Sequence, residues 1–493
     1  MGLMLIRPND MKAVYGDTYK YAACEPPYWA GVIASYARER DVSVEILDAE
    51  ALDCSPEDVA NRVMERKPSL VGVCVTGNNL SASTQKMNGA GLVCQAIKRK
   101  VGHIPIFIWG LHPSALPERT MEEENIDFLI KGEGLKEIVQ LFEYVKNGTG
   151  NLEDIKGLYY RDNGKAVGNS QLNLEEIGNI PAPAWDLMPM ERYLPHNWHL
   201  LGEDSRAARG KYAVLATSLG CPYNCSFCAI ASQFGSRKVR FFDIDHIMEE
   251  IDVLVNQYHI KYLKILDECF VLNEKYVSEF CDRLIEKDYG LNIWGYARID
   301  TVNKELLEKL RKAGIRWLAF GIESGSKKSM DGVSKGQYDN EKVKHVVEMV
   351  KNAGIYVLAN FMFGLPDDDL EDMQATYGLC REINPEWINF YVTMAYPGSK
   401  TYAEYMKNGE ILPDNWMAYA QYSYECTPKG SEHLSPAQVL EYRDWAFHAF
   451  FENNERYFGN IEQKFGRQAV VSIQESTKGR LRRKLLEDPR SRI

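Results

Sequence analysis

The sequence predicts an α/β protein: a doubly wound sheet, then a partial six-stranded parallel barrel, then a helical C-terminal region. Three observations predict it. Apolar, β-branched runs alternate with amphipathic helices through residues 1–148, the pattern of a parallel sheet covered on both faces. A second series of the same kind begins at Tyr212, after a turn-rich interval. The 493 residues also exceed what one core supports, since single domains run to roughly 100–200 residues.

In the first unit, LMLIRP precedes a helix from about Trp29 to Arg40, and VSVEILD precedes a polar helix around Glu57 to Arg66. SLVGVCVTG leads into a long helix to Lys100, and IPIFIW, IDFLIKG and a helix ending near Asn147 complete about five strands. Residues 149–208 read as a connector, with a hairpin in GLYYRDNGKAVGN and a turn-rich stretch, NIPAPAWDLMP. Residues 209–400 carry the strands AVLATSLG, YLKILD, LNIWGYA, IRWLAFGIE, IYVLANFMFG and WINFYVTMA. Six βα units in a row suggest an open barrel whose functional loops lie at the carboxyl ends of the strands. Residues 401–493 are mostly helical and end in GRLRRKLLEDPRSRI, a basic stretch read as a solvated helix end.

Composition narrows the function. A hydrophobic fraction of 45% and a charged fraction of 26% are those of an ordinary globular protein. The formal charge of -11 argues against nucleic acid as a partner and favours a small-molecule substrate. No apolar run approaches the ~20 residues of a membrane span, and MGLMLIRPND is too short in its apolar part for a signal peptide. A cytoplasmic location is therefore expected. Eleven scattered cysteines do not resemble a disulfide framework, but three of them, Cys221, Cys225 and Cys228, lie close together in LGCPYNCSFC.

One loop after the first barrel strand can bring those three thiolates to one metal centre. Thiolates select zinc or an iron–sulfur cluster. A closed zinc site asks for a fourth ligand, and along the sequence no further cysteine or histidine follows until His246. Three thiolates leave one iron of a cubane open. Zinc and inert buried cysteines remain the other two readings of the residues alone.

The motif C-x-x-x-C-x-F-C after a strand resembles the signature of radical S-adenosylmethionine (radical SAM) enzymes. The resemblance implies a 4Fe-4S cluster on Cys221, Cys225 and Cys228, whose open iron is chelated by S-adenosylmethionine. It places Phe227 near the adenine, and Asp267 and Glu268 of ILDECF near the methionyl amino group. For Asp267 a helix N-cap is the plainer alternative. Arg298 of GYARID would grip the carboxylate, with a surface ion pair as its alternative. In GIESGS, Glu323 would accept from the ribose, Ser324 would line the same site, and Gly321 and Gly325 would admit the ligand to the backbone. Asn360 and Gly364 of ANFMFGLPDDD resemble the adenine-side strand, although three aspartates replace the usual ending of that turn. MAYPGS at 394–399 matches the family at the barrel mouth.

The first unit resembles the cobalamin-binding, Rossmann-like domain of one subclass, through EPPYWAGVIASYARE, VGVCVTGNN, IWGLHPSALPE and IDFLIKGEG. Its implied cobalamin contacts are Thr76, Gly77, Asn78, Gly110, His112, Gly132 and Glu133, on the carboxyl edge of the sheet. No D-x-H-x-x-G loop follows the first strand, so no histidine from there would reach cobalt. Trp109 stands where a glycine is usual and is expected to crowd the groove for the nucleotide tail. The subclass implies methyl transfer to an unactivated carbon. The alternatives are radical cyclisation or rearrangement without methylation, and a zinc-stabilised binding protein. An electron donor such as flavodoxin or ferredoxin is the implied protein partner.

Overall fold

The computed structural model describes residues 2–169, 172 and 174–487. β1 (Leu3–Arg7), β2 (Val44–Asp48), β3 (Leu70–Val75), β4 (Ile106–Gly110) and β5 (Phe128–Ile130) pair in parallel. The hairpin β6 (Leu158–Asp162) and β7 (Lys165–Gly168) adds to β5 antiparallel, giving the order β2-β1-β3-β4-β5-β6-β7. The hairpin read from sequence as the start of the connector therefore extends the first sheet. Side chains alternate between two cores. Leu3, Leu5, Phe107 and Trp109 meet the helices Tyr28–Arg38 and Leu135–Asn147, whereas Met4, Ile6, Ile106 and Ile108 meet Pro56–Arg66 and Met87–Val101.

The second sheet is an all-parallel partial barrel. Its strands are β8 (Tyr212–Leu215), β11 (Tyr262–Ile265), β12 (Asn292–Ala297), β13 (Ile315–Glu323), β14 (Tyr356–Phe363) and β15 (Trp387–Val392), in that spatial order. Between the first two, β9 (Ser218–Leu219) and β10 (Arg240–Phe241) form a short antiparallel ribbon. Helix starts between the strands are set by side-chain caps, as in Asp243 before Ile244–Asn256 and Asn303 before Lys304–Lys312. Two of the three aspartates after Pro366 serve the backbone. Asp368 accepts from the Gly364 and Leu365 amides at 2.9 and 3.0 Å, and Asp369 forms a capping box with Asp372.

The two units meet through buried charge. Glu25, ahead of the helix Tyr28–Arg38, accepts from Lys264 of β11 at 2.9 and 3.1 Å and from the Tyr212 hydroxyl at 3.0 Å. Behind it Arg7 pairs with Glu50 and Asp48, and Lys86 with Asp10 and Glu50. The C-terminal helices Pro436–Phe451, Glu455–Phe465 and Arg467–Thr477 cover the β15 side. There Arg443 donates to the Phe390 carbonyl and Tyr457 to that of Glu386. Among the described residues no helix is long and apolar enough to cross a membrane.

Candidate active site

The loop bearing Cys221, Cys225 and Cys228 begins at Gly220, where φ is +96° and an added Cβ would lie 2.5 Å from the Lys238 carbonyl oxygen. Glycine is what that turn tolerates. Asp267, at the end of β11, accepts from the Thr217 amide at 2.7 Å, the Thr217 hydroxyl at 2.6 Å and the Ser218 hydroxyl. It braces the corner from which the loop departs. Farther along, the Ser226 amide donates to Val333 and its carbonyl accepts from the Thr401 amide. The Arg298 guanidinium lies 3.7 Å from the ring centre of Tyr223, inside the loop.

All three thiols are half-buried and free, and they border one cavity of about 470 Å³. Burial pushes the Cys221 and Cys228 thiols up to about 12. Among the described residues no three His, Cys, Asp or Glu side chains converge on a single-ion site. A cubane cluster takes each thiolate on a separate iron.

The same cavity gathers residues from five of the six barrel strands and from the cysteine loop that follows β8. Phe227, Glu268, Arg298, Gly321, Glu323 and Asn360 border it. Burial pushes the Glu268 carboxyl up to about 7, against the pull of Lys264. Arg298 is held bidentate by Asp300 at 2.9 Å. Glu323 sits at φ +66° and pairs with buried Lys335. A Cβ on Gly321 would lie 2.5 Å from the Glu323 carboxylate and 2.6 Å from Lys335 Nζ, so this glycine makes room for the pair. Asn360 donates to the Phe320 carbonyl and accepts from Asn389. Ser324 and Gly364 are taken up by the backbone turns instead, bonding to Thr376 and Asp368 respectively. Asp267 borders a smaller neighbouring pocket of about 60 Å³.

On the first unit, Thr76, Gly77 and Asn78 border that smaller pocket, and Asn78, Asn79, Ser81 and Gln85 border the large one. The Ser81 hydroxyl lies 3.2 Å from Cys228 Sγ, and the Asn78 carbonyl accepts from Lys264 at 2.6 Å. The other four residues of that edge lie outside the lining of both pockets. Gly110, at φ +140°, lets β4 pass the Val75 carbonyl, which an added Cβ would meet at 2.1 Å. His112 is buried against Thr84 (3.1 Å) and the Trp416 ring, and burial holds its imidazole down at about 3. The Gly132 carbonyl accepts from Trp109 Nε1 and Gln233 Nε2, and Glu133 pairs with Arg240. Trp109 is fully enclosed, its ring tilted against Trp29 and its Nε1 bonded to the loop at Gly132.

Residues 215–380 match the radical SAM superfamily, and residues 17–141 match the B12 binding domain. The chain is a radical SAM enzyme with a B12-binding domain. An uncharacterized methyltransferase of Pyrococcus horikoshii is 28% identical over 85% of this chain and 86% of its own. An anaerobic magnesium-protoporphyrin IX monomethyl ester cyclase of Rubrivivax gelatinosus is 27% identical over 84% of this chain and 71% of its own. Among solved structures, the radical SAM methyltransferase TsrM of Kitasatospora setae, with cobalamin and a [4Fe-4S] cluster bound, superposes with a TM-score of 0.66. It is 19% identical, covering 83% of this chain and 75% of TsrM. The cobalamin-dependent radical enzyme OxsB gives 0.69 at 15% identity, over 96% of this chain and 71% of OxsB.

The cofactors of this radical SAM enzyme are a 4Fe-4S cluster, S-adenosylmethionine and cobalamin. The residues fit them: three free thiols for the cluster, carboxylates and cations at the strand ends for an amino acid head, and an amide- and hydroxyl-rich wall for an amide-rimmed corrinoid. Several of the cavity's side chains carry no motif. Lys335 lies in a loop after β13, Ser81 in a polar turn, and Cys269 follows Glu268 and borders the cavity as a fourth cysteine. Lys264 had a signal: a lone charge in the apolar strand YLKI.

Proposed function

We propose that this radical SAM enzyme removes hydrogen from a small organic substrate and that the substrate then closes a ring or rearranges within the barrel mouth. One observation carries the reading: a single cavity is bordered by the three thiols, the Asn78–Ser81 loop and the ends of the barrel strands. When bound, the cluster supplies the electron that cleaves S-adenosylmethionine to the 5′-deoxyadenosyl radical. The chain's part is to hold and to exclude water. In this reading Cys221, Cys225 and Cys228 hold the cluster, and Phe227 packs at the adenine. Glu268 takes the ammonium, Arg298 and Lys335 the carboxylate, and Glu323 and Asn360 the nucleoside. Asp267, Ser324 and Gly364 hold the backbone that presents them, and Thr76, Gly77 and Asn78 meet the corrinoid.

Ring closure is supported by the cyclases among the relatives, which come from three organisms. Methyl transfer to carbon is the second reading, favoured by the Pyrococcus horikoshii relative and by the polar wall that Asn78, Asn79 and Ser81 set beside the cluster loop. Product mass separates the two. Deoxyadenosine formation without added CH₂ in the product supports ring closure or rearrangement, and a gain of one CH₂ would replace that reading with methylation.

A further inference from the structure

Four cations border the large cavity: Lys264, Arg298, Lys335 and Arg443. Three have a carboxylate of their own, respectively Glu25, Asp300 and Glu323. Arg443 does not. Its Nε donates to the Phe390 carbonyl at 2.7 Å and its Nη1 to Asp444 at 2.7 Å. Asp444, however, is also gripped by Arg483 through two bonds of 2.8 and 2.9 Å. Two guanidiniums share one carboxylate, which leaves one formal positive charge. Both cations are buried, with side chains 3% and 1% exposed.

Arg443 Nη2 has no hydrogen-bond acceptor among the described residues. The guanidinium carbon lies 5.2 Å from the Tyr422 ring centre and 5.5 Å from that of Phe447, contacts that attract a cation without neutralising it. An uncompensated buried charge is strongly unfavourable, and a ligand of opposite sign relieves it. The Tyr422 and Phe447 rings flank Arg443, and Trp387 and Tyr391 of β15 line the same cavity.

We propose that this end of the cavity is an anion subsite, where Arg443 receives the carboxylate of an organic substrate whose apolar body lies against the aromatic wall. A single formal charge and one buried guanidinium nitrogen without an acceptor match a monoanionic carboxylate better than a dianionic phosphate. The assignment rests on the cavity being the substrate chamber of the radical reaction. It gives that chamber a direction: the anion sits at the β15 side, and the reacting carbon extends towards the loop of Cys221, Cys225 and Cys228.

The test uses the anaerobically reconstituted holoenzyme and one probe pair, 2-naphthoate and 2-naphthamide, titrated calorimetrically. The acid is expected to bind the wild-type protein at least ~10-fold more tightly than the amide, the effect of one charge-assisted bond. Arg443→Gln is expected to abolish the preference, and Arg443→Lys to retain part of it. Equal binding of acid and amide, or no saturable acid binding, overturns the subsite. So does a folded Arg443→Gln protein that keeps the preference. If that variant does not fold, the wild-type ratio and Arg443→Lys decide. Reductive cleavage of S-adenosylmethionine by the wild-type enzyme is measured separately, so failure of the radical reading shows as absent deoxyadenosine whatever the naphthoate result.

Discussion

At the scale of single residues, the barrel mouth concentrates charge that is largely buried. Glu323 and Lys335 are the sharpest case, a buried pair built on a residue at φ +66°. Removing one partner leaves the other charge stranded, so Lys335→Met is expected to lower stability by about 3–5 kcal/mol. Adding Glu323→Gln to that variant is expected to recover most of the loss, which a denaturant double-mutant cycle reads directly. Glu250 shows the same physics without a paired cation, with Trp185 as its hydrogen-bonding neighbour. Its Oε1 has no hydrogen bond among the described residues, and burial pushes the carboxyl up to about 8 from an ordinary 4.5. The folded state therefore holds this proton more tightly than the unfolded chain does. Its contribution to stability is complete below pH 4.5, falls as pH rises to about 8, and is flat beyond. Glu250→Gln is expected to flatten the melting temperature across that window and to raise it on the alkaline side. An unchanged pH profile would contradict the burial argument.

At the scale of elements, the carboxyl ends of the strands are shaped by close backbone approaches. Gly110→Ala must both adopt φ +140° and displace the Val75 carbonyl, so it is expected to lose more than ~1 kcal/mol. Gly459→Ala, inside the helix Glu455–Phe465 with nothing within 4 Å, is expected to gain about 0.5–1 kcal/mol. Thermal melts of the pair check whether backbone space or mere glycine content governs these sites. Such elements were largely legible in the sequence. Buried runs such as LVGVCV and YAVL announce parallel strands, and the cysteine spacing announces the cluster loop, because both signals are local. What was not legible is pairing over distance. GLYYRDNGKAVGN reads as a hairpin, but nothing in it says that Leu158–Asp162 will extend the first sheet beside β5. Asp267 and Glu268 are adjacent in sequence, yet one braces Thr217 and Ser218 while the other borders the large cavity. Lys335, Ser81 and Arg443 belong to no motif, and their meaning comes only from the partners the fold brings them.

At the scale of the whole molecule, the two sheets and the C-terminal helices contribute to one chamber. Glu25 reaches from the first unit to Lys264 inside the barrel, Ser81 reaches Cys228, and Trp416 returns from the C-terminal region to cover His112. The six residues after Glu487, at the end of the basic tail, lie outside the described residues. The radical reading joins these parts in one function: the barrel holds the cluster and S-adenosylmethionine, the first unit supplies the cobalamin side, and the C-terminal helices supply the substrate's end. The most direct test is anaerobic reconstitution of the wild-type protein and of Cys225→Ala, followed by dithionite, S-adenosylmethionine and quantitation of iron, sulfide, zinc and 5′-deoxyadenosine. The account predicts a brown wild-type protein carrying about four irons and four sulfides that forms deoxyadenosine, and a folded Cys225→Ala that forms none. A colourless wild-type protein that retains zinc and leaves S-adenosylmethionine intact would contradict it.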